Sequence, residues 1–325
     1  MKEKTSKYKL VVNHVVNRIV EHQYKKGDKI PSINEFRKEY GLSRDTVFAG
    51  LSELKSKGII DSEPGIGYYI VSTKIQFAHN IFLLFNEFNE FKEDLYNSFI
   101  GAIGKKATVD LYFHNYNRKV FDTLIAEANH KYTTYIIMPG KFAGIEPLLQ
   151  SISGRVFLLD HFHLELKGKY SSVFQNFEKD TYNALLQGIR HLKKYKRIIM
   201  IQKDEKEPQE RYDGLCAFCL KYPFEHKYVE TLKGRKIRQG DVFMVANDRD
   251  LVDLIKLSYI QQLTPGKDFG IISYNDTPLK EILSGGITTL STDFKLMGKT
   301  MAALVNKKSI EVIENPCVLS IRKSL

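Results

Sequence analysis

Cysteine is scarce in this chain: Cys216, Cys219 and Cys317 are the three in 325 residues. An odd, sparse set argues against a disulfide framework and for a reducing compartment. Cys216-x-x-Cys219 has the spacing of a redox or metal pair. It lies in the apolar stretch Leu215, Ala217, Phe218 and Leu220 with no second Cys or Cys/His pair nearby, so it reads as buried core packing. No apolar run approaches the ~20 residues of a membrane helix. After Met1 the run Lys2 to Lys9 is polar and charged, where a secretory leader would carry an apolar core. The expectation is a cytoplasmic protein with no membrane partner. No Gly-x-Gly-x-x-Gly follows an early core strand and no Gly-Lys-Ser/Thr loop occurs, so nucleotide chemistry has no support. Asp160 and His161 stand as a potential acid and base, but nucleophile, metal set and paired carboxylates are missing, and neither catalysis nor a cofactor is expected. His161-Phe162-His163 would place two imidazoles on one side of an extended segment, as a metal pair needs. Without a third ligand at matching spacing, it reads as one polar contact plus one exposed histidine.

The length exceeds one ordinary domain of ~100–200 residues, so two units are expected. Hydrophobic residues at 43% and charged residues at 27% are ordinary for a folded protein. The net charge of +11 suits a polyanionic partner without identifying one. Its distribution is more telling. Residues 1–75 hold 14 Lys+Arg against 9 Asp+Glu, the other 250 hold 35 against 29, and the N-terminal part is therefore over twice as basic per residue.

In that part, Val11, Val12, Val15, Val16, Ile19 and Val20 recur at three- and four-residue steps, which predicts an amphipathic helix over 8–23. Gly27 and Pro31 bracket a turn. Ser32 is placed to cap a second helix over 33–40, Gly41 supplies a left-handed turn residue, and Ser43 caps a third helix. In the third, Val47, Leu51 and Leu54 face inward, leaving Arg44, Asp45, Phe48, Ser52 and Lys55 outside. Helix, tight turn, helix is the helix-turn-helix arrangement. Residues 59–62 and 68–71, with Glu63-Pro64-Gly65-Ile66-Gly67 between them, read as two short strands around a turn, a wing. Gly65 and Gly67 let backbone approach a sugar-phosphate surface, and Arg44 at a helix N-terminus can reach a base edge or a phosphate. Without an aromatic strand platform for unpaired bases, duplex DNA fits better than RNA.

Lys29-Ile30-Pro31-Ser32, Gly41-Leu42-Ser43-Arg44-Asp45-Thr46-Val47 and Gly65-Ile66-Gly67-Tyr68 resemble the GntR winged-helix signature over nearly the whole head. The resemblance implies a third helix in the major groove and a wing tip at the adjacent minor groove. Contact positions then fall on Ser32, Asn34, Ser43, Arg44, Asp45, Thr46, Phe48, Gly65, Gly67 and Tyr68. Position 48, commonly Arg or Lys in that family, is Phe here. Phe48 either touches a thymine methyl or packs against the neighbouring helix.

From residue 80 onward, apolar runs at 81–85, 109–113, 135–138, 156–160, 198–201, 242–246 and 269–274 read as buried strands. Helical periodicity marks 94–104, 120–130, 181–194 and 211–221. The fold class expected is α/β: a winged helix-turn-helix domain followed by a core with parallel sheets. Ligands in such sheets bind beyond the carboxyl ends of the strands. Asn86-Glu87-Phe88, Asp160-His161, Asn247-Asp248 and Asn275-Asp276 stand there. Such a cleft suits a polyhydroxylated ligand, with Asp, Asn and Arg bonding vicinal hydroxyls and Phe88 or Phe91 covering an apolar face.

Arg211-Tyr212-Asp213-Gly214, Val245-Ala246-Asn247-Asp248, Ser273-Tyr274-Asn275-Asp276 and Thr288-Thr289 with Met297-Gly298 resemble, in order and spacing, the effector domain of LacI-type repressors and periplasmic sugar-binding proteins. The resemblance implies a two-lobed periplasmic-binding-protein-like core over 80–325, with one lobe at about 80–174 and 294–314 and the other at about 175–293 and 315–325. It also implies a DNA-binding domain over 1–72 and a linker over 73–79. Effector contacts carry over to Phe88, Phe91, Asp160, His161, Arg211, Asn247, Asn275 and Thr292. Position 275, usually Asp in the family, is Asn here, changing an acceptor into a mixed donor and acceptor. A GntR head on a LacI-type core is similar to the arabinose-responsive repressors. That points to a homodimer gripping an inverted-repeat operator in double-stranded DNA, with a monosaccharide effector, first a pentose or deoxyhexose such as arabinose or fucose. The alternatives are a nucleoside or amino acid effector, or an effector-free architectural dimer. The core is too short for an aminotransferase-like domain.

Overall fold

The computed structural model describes residues 7–73, 79–104, 107–129, 131–203 and 206–325. Two compact units result, Met1–Ala78 and His79–Leu325. Residues 74–78 of the expected linker and His130, at the end of one expected helix, lie outside the described residues, as do residues 1–6.

The first unit runs α1 (Tyr8–Val20), α2 (Ile33–Tyr40), α3 (Arg44–Ser56), β1 (Ile60–Glu63) and β2 (Gly67–Ile70). α1 stops three residues short of the periodic stretch, because His22 adopts φ +59 and turns the chain back. α2 begins with a complete capping box: the Glu35 amide donates to Ser32 Oγ at 3.3 Å and the Ser32 amide donates to the Glu35 carboxylate at 2.7 Å. Gly41 ends α2 at φ +62. Val11, Val15, Phe36, Val47, Leu51, Leu54 and Ile70 are fully buried where the three helices and the wing meet. At about 1.5–3 kcal/mol for each large apolar side chain removed from water, this cluster holds the small unit together. β1 and β2 pair antiparallel from Ile60↔Ile70 to Glu63↔Gly67.

The second unit contains two six-stranded sheets. The first lobe is built by β3 (His79–Phe85), α4 (Glu90–Ile103), β4 (Ala107–Phe113), α5 (Arg118–Ala128), β5 (Thr134–Ile137), α6 (Glu146–Gln150), β6 (Arg155–His161) and β7 (Ser171–Gln175). The chain then passes to α7 (Phe177–Gln187), α8 (Ile189–Leu192), β8 (Arg197–Ile201), α9 (Glu210–Lys221), β9 (Glu225–Val229), β10 (Asp241–Val245), α10 (Asp248–Ile260), β11 (Gly270–Tyr274), α11 (Pro278–Ile282) and β12 (Thr288–Thr292). α12 (Phe294–Val305) returns to pack on α4, β13 (Val312–Glu314) pairs with β7, and β14 (Cys317–Ser320) joins β12. The strand orders are β13-β7-β6-β5-β3-β4 and β14-β12-β11-β10-β8-β9. All pairs are parallel except β12 with β14. The central strands are buried on both faces, as their continuous apolar runs require. Three chain crossings, near 176, 293 and 315, join the lobes and bring the carboxyl ends of both sheets to one cleft. No helix among the described residues is long and apolar enough to cross a membrane.

Candidate functional site

In the head, α3 presents one polar face. Arg44, its first residue, is exposed and has no ion pair among the described residues. Ser43 caps the helix: its Oγ accepts from the Thr46 amide at 3.2 Å and lies 2.7 Å from Thr46 Oγ1, so both hydroxyls already serve the cap. Asp45 is exposed beside them. Phe48 is 55% exposed and absent from the buried cluster, so of its two readings the packed one does not hold in the described head. Ser32, Asn34, Arg44, Gly67 and Tyr68 line one open groove of about 830 Å³ between the start of α2, the start of α3 and the wing, together with Lys29 and Arg37. Gly65 and Gly67 take φ +82 and +94, so the wing turn demands glycine for its backbone conformation. Lys55 had no assigned role in the sequence. It reaches the wing, with Nζ 2.8 Å from Asp61 Oδ1 and 2.9 Å from Ser62 Oγ, and this contact holds the Asp61 carboxyl below its ordinary range.

The interlobe cleft has a volume of about 220 Å³. Of the eight expected core positions, Phe91, Asp160, His161, Arg211, Asn247 and Asn275 line it. Phe88 does not: it is 51% exposed, and its ring meets that of Phe113 edge-on at 5.8 Å. Thr292 is buried below the floor, in a recess shared with Asp180 and Cys317, where its Oγ1 donates to the Pro316 carbonyl at 3.2 Å. Lys92, Gln175, Tyr116, Phe177, Tyr274 and Lys280, to which the sequence assigned no effector contact, also line the cleft. Their signal was weak, since lysines on helices and a glutamine ending a strand are ordinary.

These residues occupy the polar capacity of several expected contacts. Asp160 accepts from Gln175 Nε2 and faces Lys92 Nζ at 3.5 Å, and Lys92 also donates to Asn86 Oδ1. Asn247 caps α10, with its Oδ1 accepting from the Asp250 amide at 3.0 Å and its Nδ2 donating to the Asp250 carboxylate at 2.6 Å. Lys280 Nζ donates to the carbonyls of Tyr274 and Asn275 at 2.9 and 2.8 Å and pairs with Asp248 at 2.8 Å. The Arg211 guanidinium lies 4.2 Å from the Tyr274 ring centroid and donates to Glu207. Backbone conformation is unusual at the same place: Tyr116, Asp160 and Asn275 hold φ +57, +82 and +63, a region non-glycine residues seldom adopt and which gathers at ligand sites.

His161 takes the expected place in the cleft, whereas His163 departs from expectation. His163 is buried, not exposed: its ring bonds the Gly140 carbonyl at 2.9 Å and Glu165 at 3.1 Å, fixing the loop after β5. His161 lines the cleft 3.6 Å from Glu210 across the lobes, and burial lowers its pKa, partly opposed by that carboxylate. No three His, Cys, Asp or Glu side chains converge as metal ligands among the described residues. Cys216 and Cys219 are free and only partly buried on α9, and burial pushes the Cys219 thiol up to about 12, away from reactivity.

Residues 7–70 match the family model of bacterial regulatory proteins of the gntR family. An uncharacterized HTH-type transcriptional regulator of Bacillus subtilis, YcxD, is 35% identical over 65 residues, which are 20% of this chain and 15% of that protein. The chain thus spans about 15% of the length of that curated relative. Among solved structures, a LacI family transcriptional regulator from Silicibacter pomeroyi matches with TM-score 0.64 and 15% identity, over 75% of this chain and 98% of that one. A ribose operon repressor from Lactobacillus acidophilus matches with TM-score 0.61 and 18% identity, over 75% and 97%. A periplasmic binding protein/LacI transcriptional regulator from Alkaliphilus metalliredigens, complexed with D-xylulofuranose, matches with TM-score 0.61 and 14% identity, over 76% and 98%. At these identities the likeness is one of fold. The chain therefore joins a GntR-type winged helix-turn-helix head to a core with the LacI and periplasmic-binding-protein fold.

Proposed function

We propose that this protein is a sequence-specific DNA-binding transcriptional regulator, a repressor of sugar-utilisation genes in the cytoplasm, whose hold on its operator answers to a monosaccharide in the interlobe cleft. The observation that carries the reading is the presence, on one chain, of a basic helix-and-wing groove and of a cleft lined by polar side chains from both lobes. Arg44, Asn34 and Ser32 are the contacts for backbone and bases, and Phe48 offers its ring to a thymine methyl. Arg211, Asn275, His161 and Phe91 are the effector contacts.

A homodimer on an inverted repeat suits such a head. Tyr259 and Ile260 at the end of α10, with Leu279 and Ile282 on α11, are exposed apolar side chains that a second copy would cover. Regulation requires that the ligand favour one lobe arrangement over another. The test is operator binding by the full chain, on a site obtained by selection from random duplex DNA, with and without a panel of monosaccharides. Arg44→Ala is expected to weaken operator binding by about 1–3 kcal/mol, roughly five- to 150-fold, while ligand-induced thermal stabilisation persists. Unchanged operator affinity in that variant would overturn the docking assignment.

A further inference from the structure

The cleft is richer in cations and hydrogen-bond donors than a neutral sugar needs. Lys92, Lys141, Lys206, Arg211 and Lys280 line it against the carboxylates Glu87, Asp160, Glu207 and Asp248. Each of those four carboxylates already faces a cation: Asp160 faces Lys92 at 3.5 Å, Glu87 faces Lys206 at 3.6 Å, Asp248 faces Lys280 at 2.8 Å, and Glu207 accepts from Arg211. The acceptors that would fork onto vicinal hydroxyls are therefore largely engaged within the protein.

Among the described residues that line the cleft, donor capacity stays unengaged. Arg211 is only 6% exposed, and its Nε has no hydrogen-bond partner although one Nη donates to Glu207. A buried guanidinium nitrogen without an acceptor is costly, and a ligand oxygen would relieve that cost. The Tyr116 phenol accepts from Asn86 Nδ2 at 3.0 Å and keeps its own proton to give, and burial raises its pKa so that it remains a donor. At the end of β11, Asn275 brings an amide where a carboxylate would have added negative charge. Lys206, from the second lobe, stands 5.1 Å from the Tyr116 ring centroid and faces Glu87, both in the first lobe. Its ion pair with Glu87 is partly exposed, so exchanging that carboxylate for a ligand anion costs little.

We infer that the effector carries an anionic group, a carboxylate or a phosphate monoester, received by Arg211, Tyr116 and Lys206 as the lobes close on it. A planar, delocalised guanidinium stacked on Tyr274 is suited to either oxyanion. The inference rests on the reading of the cleft as the effector site and deepens it from a monosaccharide to a sugar acid or sugar phosphate.

The test is calorimetric titration of the full chain with D-glucose, D-glucuronate and D-glucose 6-phosphate, with D-ribose and D-ribose 5-phosphate, and with adenosine 5′-monophosphate and L-glutamate as anions that are not simple sugars. One anionic sugar is expected to bind at least tenfold tighter than its neutral parent and to weaken as salt is raised, and the acid and phosphate arms name the group. Lys206→Met, at a half-exposed position, is expected to lower that affinity severalfold, and Arg211→Lys to lower it further because the forked donor geometry is lost. A neutral sugar that binds as tightly as its acid or phosphate would overturn the anion while leaving a sugar sensor intact. Binding of the nucleotide or the amino acid with no sugar bound would keep the anion and overturn the sugar. No binding across the whole panel would overturn both.

Discussion

Asp180 shows how one buried group sets a pH dependence that its place in the sequence does not announce. It lies in the first turn of α7, and its Oδ2 is buried with no hydrogen-bond partner. Burial first, then the nearby Glu314 carboxylate, pushes its pKa from 3.8 up to about 7. Between those values the native chain holds a proton that the unfolded chain has released, so this group's contribution favours folding at low pH and is lost as pH rises through about 7. Asp180→Asn is therefore expected to raise Tm relative to wild type more at pH 8 than at pH 4.5, as followed by thermal unfolding. The comparison between variant and wild type cancels the shared contribution of His14, His114 and His161, whose pKa values burial lowers. Equal differences in Tm at the two pH values would mean that the carboxyl is well solvated. At the same scale, Phe48→Arg is expected to change stability by less than about 0.5 kcal/mol, since the ring is exposed. It is also expected to change the base preferred in selected operators, and an unaltered selected sequence would place Phe48 away from the bases.

Two helical glycines explain how the elements close on one another. A Cβ on Gly298 of α12 would lie 2.3 Å from the Leu95 carbonyl oxygen of α4, and one on Gly214 of α9 would lie 2.2 Å from the Glu178 carbonyl oxygen of α7. Each lobe thus has one helix pair in backbone contact. Replacing a helical glycine by alanine ordinarily favours the helix by about 1 kcal/mol. Here overpacking is expected to dominate, so Gly298→Ala should destabilise by about 1–3 kcal/mol in a urea titration, and a more stable variant would show that α12 can move off α4. Both glycines stand in the segments that carry the LacI-type resemblance, but their partners are on other helices, and spacing along the chain does not reveal them. The strands absent from the sequence reading have equally local reasons. β9, Glu225–Val229, is an exposed edge strand of polar residues. β12 is made of threonines and a serine around Leu290, buried by virtue of side-chain hydrogen bonds such as that of Thr288 Oγ1 to the Arg322 carbonyl at 3.2 Å.

At the scale of the core, the lobes touch across the cleft through Lys206 with Glu87 and His161 with Glu210, each at 3.6 Å. The Lys206–Glu87 pair is partly exposed and contributes little, so under the proposed function a bound ligand would decide the lobe arrangement. Arg211→Ala is accordingly expected to retain operator binding and to lose its response to ligand, measured by operator titration with and without effector. An undiminished response would remove Arg211 from the effector contacts. Local residue order determined the three helices of the head, through helical periodicity and the capping residues Ser32 and Ser43, and the seven apolar strands of the core, through continuous apolar runs, because burial of one helical face or of a whole parallel strand writes itself into the sequence. It also marked the polar residues that end those strands. Only the tertiary structure decided that Asp160 and Asn247 are committed to Lys92, Gln175 and Asp250, that Phe88 and Thr292 lie off the cleft, and that His163 is buried. Each of those outcomes depends on a neighbour brought in by another element, and a hydrogen bond or an ion pair is set by distance in space rather than by separation along the chain.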